Sequence, residues 1–352
     1  MKPGSPRHGR GAVSNAASRF SATTREAVDD GWFPEEPPTL ATTVSVETSR
    51  SVVTRNQSPD IPFDQSLNPY RGCEHGCIYC YARPSHAYVG LSPGLDFETR
   101  LFAKPDAPAL LEKELARPGY RCSPLALGAN TDPYQPIERE WRITRQVLEV
   151  LQRARHPVTI TTKSALIERD LDILSEMAAA GLANVQVSIT TLDKTLALKL
   201  EPRASAPHRR LLAVARLAAA GVPVKVMIAP IIPWLTDSEM ERIVEKAAEH
   251  AAVSAGYILL RLPREVESLF AEWLTAHYPL KAAHTLSLVT LAHGGRIYDP
   301  GFGRRQVGSG DYAALLARRF RLALKRHDLT EEPPGLVSDL FTPPGQRQLA
   351  LF

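Results

Sequence analysis

The 352-residue chain is 44% hydrophobic and 23% charged, an ordinary composition for one large or two small domains with a sizeable core. No apolar run approaches the roughly 18–20 residues of a membrane span. The longest, residues 226–235, is broken by Pro230 and Pro233, and the basic N-terminus has no apolar signal region, so a chain that is neither membrane-spanning nor exported, and hence cytoplasmic, is expected. The net charge is +4, but residues 1–25 hold Lys2, Arg7, Arg10, Arg19 and Arg25 without an acid, so the remainder is close to neutral and composition gives no case for a nucleic-acid partner.

Residues 1–40, rich in Ser, Ala, Arg, Pro and Thr without a sustained period, read as a disordered basic tail. Residues 41–58 read as an extended lead-in. From about 59 to 290, short β-branched runs alternate with amphipathic stretches of helical period. The strands predicted are 123–128, 158–162, 185–190, 222–228 and 257–262; the helices are 139–155, 165–180, 208–220, 237–250 and 266–277. Two helices end on the same signal, Ala-Ala-Ala-Gly at 178–181 and 218–221, and a strand follows each. Strand, helix, glycine, strand is the βαβ crossover, and its repetition gives an α/β fold with a parallel sheet. A closed or partial barrel and a doubly wound sheet both satisfy that pattern. Residues 291–352 read as a small basic C-terminal extension with one helix from about Asp311 to His327. Within 304–326, seven Lys and Arg face Asp311 alone, about +6, which either tracks phosphates or is a solvated helix face.

Four cysteines in so long a chain make no disulfide framework. Cys73, Cys77 and Cys80 crowd into the run Asn68-Pro69-Tyr70-Arg71-Gly72-Cys73-Glu74-His75-Gly76-Cys77-Ile78-Tyr79-Cys80, with the spacing C-x3-C-x2-C and two glycines for a tight loop. Three close thiolates fit a [4Fe–4S] cluster with one open iron, or a structural zinc that borrows a fourth ligand such as His75. Cys122 stands apart and reads as a structural thiol. There is no P-loop, no H-E-x-x-H and no dinucleotide fingerprint.

C-x3-C-x2-C with Tyr79 before the last cysteine, opening a series of βα units, resembles the radical S-adenosylmethionine superfamily over roughly residues 60–290. Residues 66–73 (SLNPYRGC), 128–136 (GANTDPYQP) and 160–164 (ITTKS) are similar to its spore photoproduct lyase-like branch, whose members are often labelled DNA repair photolyases. The resemblance implies a partial (βα)6 TIM-like barrel and a [4Fe–4S] cluster on Cys73, Cys77 and Cys80. It also implies S-adenosylmethionine on the open iron, reductive cleavage to a 5′-deoxyadenosyl radical, and an electron donor of flavodoxin or ferredoxin type. Cofactor contacts are expected from Tyr79, from Asn130, Thr131 and Asp132 after the second predicted strand, and from Lys163 after the third. Ser188 and Thr190 on the fourth strand, and Arg203, complete the set. One departure is visible: Asn130 stands where the lyase of that branch carries the cysteine that returns a hydrogen atom, which puts dimer reversal by that route in doubt. A nucleic-acid substrate is implied by the branch; a protein, peptide or small-molecule substrate, and a zinc-stabilised binding module without chemistry, are the alternatives.

Overall fold

The computed structural model describes residues 6–20 and 40–345. Its strands are β1 (Thr43–Val46), β2 (Val53–Arg55), β3 (Gln65–Leu67), β4 (Tyr70–Arg71), β5 (Arg100–Ala103), β6 (Leu125–Leu127), β7 (Val158–Thr162), β8 (Ala183–Ser188), β9 (Val224–Ile231) and β10 (Ser254–Leu259). The helices are α1 (Asp96–Thr99), α2 (Ala107–Leu115), α3 (Glu138–Trp141), α4 (Ile143–Arg153), α5 (Leu171–Ala179), α6 (Lys194–Leu200), α7 (Pro207–Ala219), α8 (Met240–Glu249), α9 (Glu265–His277), α10 (Pro279–Ala292) and α11 (Gly310–Arg326). Among the described residues no helix is long and apolar enough to cross a membrane.

Strand order decides between the two architectures. The main sheet runs β10-β9-β8-β7-β6-β3-β2, so six parallel strands lie side by side in chain order, with β2 antiparallel on the edge. A doubly wound sheet needs a reversal of order; here the winding never reverses, which is the course of a partial (βα)6 barrel. β1, β5 and β4 form a second, three-stranded sheet beside it. Gly181 and Gly221 take the left-handed conformation (φ 69° and 77°), as the Ala-Ala-Ala-Gly signals require.

Two differences from the sequence reading matter. The first parallel strand, β3, is only Gln-Ser-Leu, buried but without apolar periodicity, and escapes pattern reasoning. The second lies in the tail. Its residues 1–5 and 21–39 are outside the described residues, but 6–20 are packed, not free: Ala12 and Val13 are buried beside Cys77 and Ile78. The Gly11 and Ala12 amides donate to the Glu98 carboxylate at 2.9 and 2.8 Å. Arg10 reaches the Glu98, Leu40 and Thr42 oxygens at 2.6–3.0 Å. A composition-based reading sees polar, small residues there and misses that their backbone is what binds.

The C-terminal extension is likewise part of the barrel wall. Leu316, Phe320, Ala323 and Leu324 of α11 are buried in the main core, and Phe320 packs edge-on against Tyr257 of β10 at 4.9 Å. Of the basic segment 304–326, Arg304, Arg305 and Arg319 are paired with Asp299, Asp60 and Glu241. Arg318, Arg321, Lys325 and Arg326 remain exposed. The helix leads into Thr330, which pairs with Ser254 at the start of β10, so these charges descend towards the end of the sheet opposite the cysteines. If α11 completes the wall, Leu316→Ala should destabilise the chain by about 2–5 kcal/mol in urea unfolding. Leu315→Ala, on the exposed face, should change stability by less than about 0.5 kcal/mol.

Candidate active site

The cysteine loop follows β3 and sits at the carboxyl ends of the parallel strands. Gly72 and Gly76 take left-handed φ values of 74° and 69°. A Cβ on Gly72 would lie 2.9 Å from the Phe97 carbonyl, so the turn needs glycine. Arg83, fully buried, holds the loop from behind by donating to the Cys77 carbonyl at 2.9 Å and the Gly76 carbonyl at 3.1 Å while pairing with Glu98.

Cys73, Cys77 and Cys80 are free thiols, with Cys73 and Cys77 buried. Burial raises all three above the ordinary thiol range; Asp132 adds to the rise at Cys73 and Glu201 at Cys77. Cys80 adds to the rise at both Cys73 and Cys77, and it packs against the two apolar clusters that hold them. Three unbridged thiols on one glycine-shaped loop fit the ligand set of a site-differentiated cluster. Among the described residues, no three His, Cys, Asp or Glu side chains converge on a single-ion position. His75 is buried, its Nδ1 3.3 Å from Asp132 Oδ2 without a well-aligned hydrogen bond, and it makes no fourth ligand here.

Three of the sequence-predicted residues, Lys163, Thr190 and Tyr79, meet at the Glu201 carboxylate, which the sequence pattern does not single out, and Ser188 joins them through Lys163. Lys163 Nζ donates to Ser188 Oγ at 2.7 Å and the Ala229 carbonyl at 3.1 Å, and lies 3.4 Å from Glu201 Oε1. Thr190 Oγ1 donates to Glu201 Oε1 at 2.7 Å, and the Tyr79 hydroxyl donates to the same oxygen. Arg210, also missed, pairs with Glu201 Oε2 and donates to the Ser188 carbonyl at 2.9 Å. Burial favours the neutral acid, but Arg210 and Lys163 outweigh it and hold Glu201 far below the ordinary 4.5. The only sequence signal was the Glu-Pro-Arg step at 201–203, from which Arg203 was chosen. Arg203 instead pairs with Glu74 at 2.9 Å on the flank of the cysteine loop.

The loop after β6 is a brace. Asp132 accepts from Thr162 Oγ1 at 2.8 Å and the Lys163 amide at 2.7 Å. Burial opposes its ionisation, but the facing His75 and these donors prevail, so Asp132 also titrates below its usual range. Asn68 Oδ1 accepts the Asn130 amide at 2.9 Å, and Thr131 Oγ1 donates to the Tyr70 carbonyl at 2.9 Å. Tyr134 turns away to Asp170 at 3.1 Å. Cys122 is half-buried before β6, at the end of the strand remote from this loop, and burial pushes its thiol up to about 11.

The Radical SAM superfamily profile matches residues 67–247, just over half of the 352-residue chain. An uncharacterized protein of Mycobacterium tuberculosis is 36% identical over 221 residues, 62% of this chain and 65% of that protein. One of Methanocaldococcus jannaschii is 27% identical over 173 residues, 49% and 62% of the two chains. The chain thus spans slightly less than two thirds of these relatives. Among solved structures, spore photoproduct lyase complexed with dinucleoside spore photoproduct superposes with a TM-score of 0.56 at 16% identity, covering 84% of each chain. A variant of it with bound AdoMet gives 0.57. These likenesses show the fold.

The buried Glu201 cage predicts a pH dependence. A carboxylate whose folded pKa is depressed contributes stability above its unfolded value, here about 4.5, and loses it as pH falls towards the folded value. Thermal melts between pH 7 and pH 3 should show wild type losing stability below about pH 4.5, and Glu201→Gln losing less over that window. At neutral pH, Glu201→Ala leaves two buried cations without their anion and should cost about 3–5 kcal/mol.

Proposed function

The chain belongs to the radical SAM superfamily, and from that premise we propose that it is an enzyme whose Cys73, Cys77 and Cys80 hold a [4Fe–4S] cluster that binds S-adenosylmethionine. The observation that carries this reading is the set of three free thiols on one glycine-shaped loop, joined through Tyr79 to a preformed charged cage. When bound, such a cluster with its S-adenosylmethionine supplies one-electron cleavage of the sulfonium and a 5′-deoxyadenosyl radical, with the electron delivered by a flavodoxin- or ferredoxin-type donor. A cubane takes each thiolate on a separate iron and needs only three from the protein, whereas a structural zinc needs a fourth protein ligand.

The chain's own groups then have distinct tasks. Lys163 offers an ammonium for the cofactor carboxylate, held in place by Glu201, Ser188 and the Ala229 carbonyl. Tyr79 and Thr190 line the same pocket floor, and Asp132 fixes the Lys163 backbone from the next loop. The buried surroundings of the loop exclude water from the reacting centre.

For the substrate we propose nucleic acid, on the photoproduct-lyase-like motifs and fold. The resemblance puts Asn130 where that branch's lyase carries its hydrogen-donor cysteine, and Cys122 lies at the far end of β6, which favours a reaction other than thiol-assisted dimer reversal. A peptide or small-molecule substrate is the outcome to test against.

Anaerobic purification should yield brown protein with about four irons and four sulfides per chain. Cys73→Ala, Cys77→Ala or Cys80→Ala should each lose iron and 5′-deoxyadenosine formation, while Cys122→Ala keeps both. One colourless zinc per chain, or iron lost only with Cys122, would sink the assignment. Lys163→Ala should keep its iron but bind S-adenosylmethionine about ten- to a hundredfold more weakly by calorimetry.

A further inference from the structure

We propose that Arg261 is the receptor for one backbone phosphate of a single-stranded nucleic-acid segment; the inference rests on the nucleic-acid reading above and gives that reading a binding residue. Arg261 lies two residues beyond β10 and therefore on the same rim as the cysteine loop. Its guanidinium sits over the ring of Tyr81, 5.4 Å from the centroid, and 6.0 Å from that of Tyr298. Tyr81 directly follows Cys80, and its hydroxyl donates to the Ala129 carbonyl in the loop after β6. Tyr81 thus joins the loops after β3 and β6, the first two parallel strands, and its ring meets Arg261 from the loop after the last, β10.

Among the described residues Arg261 has no partner beyond the two rings. Its Nε is buried and makes no hydrogen bond, and among the described residues no hydrogen bond or ion pair reaches its guanidinium. Arg83, Arg169, Arg210, Arg305 and Arg319 are each paired with a carboxylate. A partly buried donor left unfilled is unfavourable, so a guanidinium held against two aromatic rings is preorganised for an oxyanion from outside. Its planar fork matches two oxygens of one phosphate or one carboxylate.

The neighbouring rim loop selects between them. Trp234, just past β9, is 54% exposed, takes a left-handed φ of 67° and stands edge-on to His284 at 4.7 Å. An exposed indole on a rigid rim is a stacking platform for an unpaired base. A stacking platform and a phosphate fork on adjacent strand loops are the pairing that tracks a single strand, where a lone carboxylate would need only the fork.

The test is fluorescence anisotropy of short labelled single-stranded DNA and RNA with full-length, anaerobically purified protein. Arg261→Ala should weaken binding about tenfold, and should reduce the slope of log affinity against log salt by about 0.7, one phosphate on a single strand. The exposed basic residues give background salt dependence, so the decisive arm scans one neutral methylphosphonate linkage along the oligonucleotide. One position should weaken wild type and have no further effect on Arg261→Ala. Trp234→Ala should weaken binding with the salt slope unchanged. Equal affinities for wild type and Arg261→Ala, or a methylphosphonate penalty that persists in the variant, would overturn the proposal. So would a loss confined to an acidic peptide, which would make the site a carboxylate receptor. Iron content of the same preparations reports on the cluster separately: colourless protein would sink the radical reading while leaving the anisotropy result standing.

Discussion

Beneath the cysteine loop, Lys163, Arg210 and Glu201 are removed from water together, and the geometry of the site depends on that exchange. Two cations and one anion leave a net positive charge in a region of low dielectric, which Tyr79, Thr190, Ser188 and the Ala229 carbonyl offset with oxygen dipoles. Because Lys163 comes from the end of β7, Ser188 from β8 and Ala229 from β9, the ion network also ties three strand ends into one floor. Breaking it would loosen the register of the rim as well as the charge balance. A surplus of positive charge at that depth suits a carboxylate arriving from outside.

A second buried pair, Arg83 with Glu98, does the corresponding work on the opposite side of the loop. Arg83 spends its donors on loop carbonyls, and Glu98 spends its remaining capacity on the Gly11 and Ala12 amides. The N-terminal strap is therefore bound through its backbone, which is why its composition gives no hint of order. A Cβ at Gly11 would sit 1.9 Å from the Gly76 carbonyl, so strap and cysteine loop approach as closely as two chains can. Residues 10–16 belong to the site, and removing them would strip Glu98 of two of its donors.

Legibility followed the length scale of the signal. Helices and strands with several periods were readable: β7 matches its sequence prediction, and α7, α9 and α11 match within one or two residues. The three-residue β3, α6 and the small β1-β5-β4 sheet carry too few residues for a period to emerge. Near the cysteine loop, Lys163 is legible because it follows an apolar strand, and Ser188 and Thr190 because they alternate at the carboxyl end of the next, where a βα barrel places its chemistry. Glu201 and Arg210 were missed because they come from helical segments across the rim, and only the fold brings them under the loop.

The satisfied charges and the unsatisfied one divide the rim into two regions. Behind the cysteine loop three buried carboxylates are matched by cations: Glu201 by Lys163 and Arg210, Glu98 by Arg83, Glu74 by Arg203. Such networks hold a geometry, and the Glu201 set keeps one positive charge in excess, as a platform for a reactive group with a carboxylate to bind requires. At the opening, Arg261 is held by rings alone and Trp234 is held against His284 with its indole half in solvent. Order without hydrogen-bond partners is the state of a recognition surface before its ligand arrives, because the orienting entropy has already been lost on folding. The exposed basic face of α11, by contrast, is ordered by nothing beyond its helix and points towards the far end of the sheet, so it can add long-range attraction but cannot position a substrate over the cysteines.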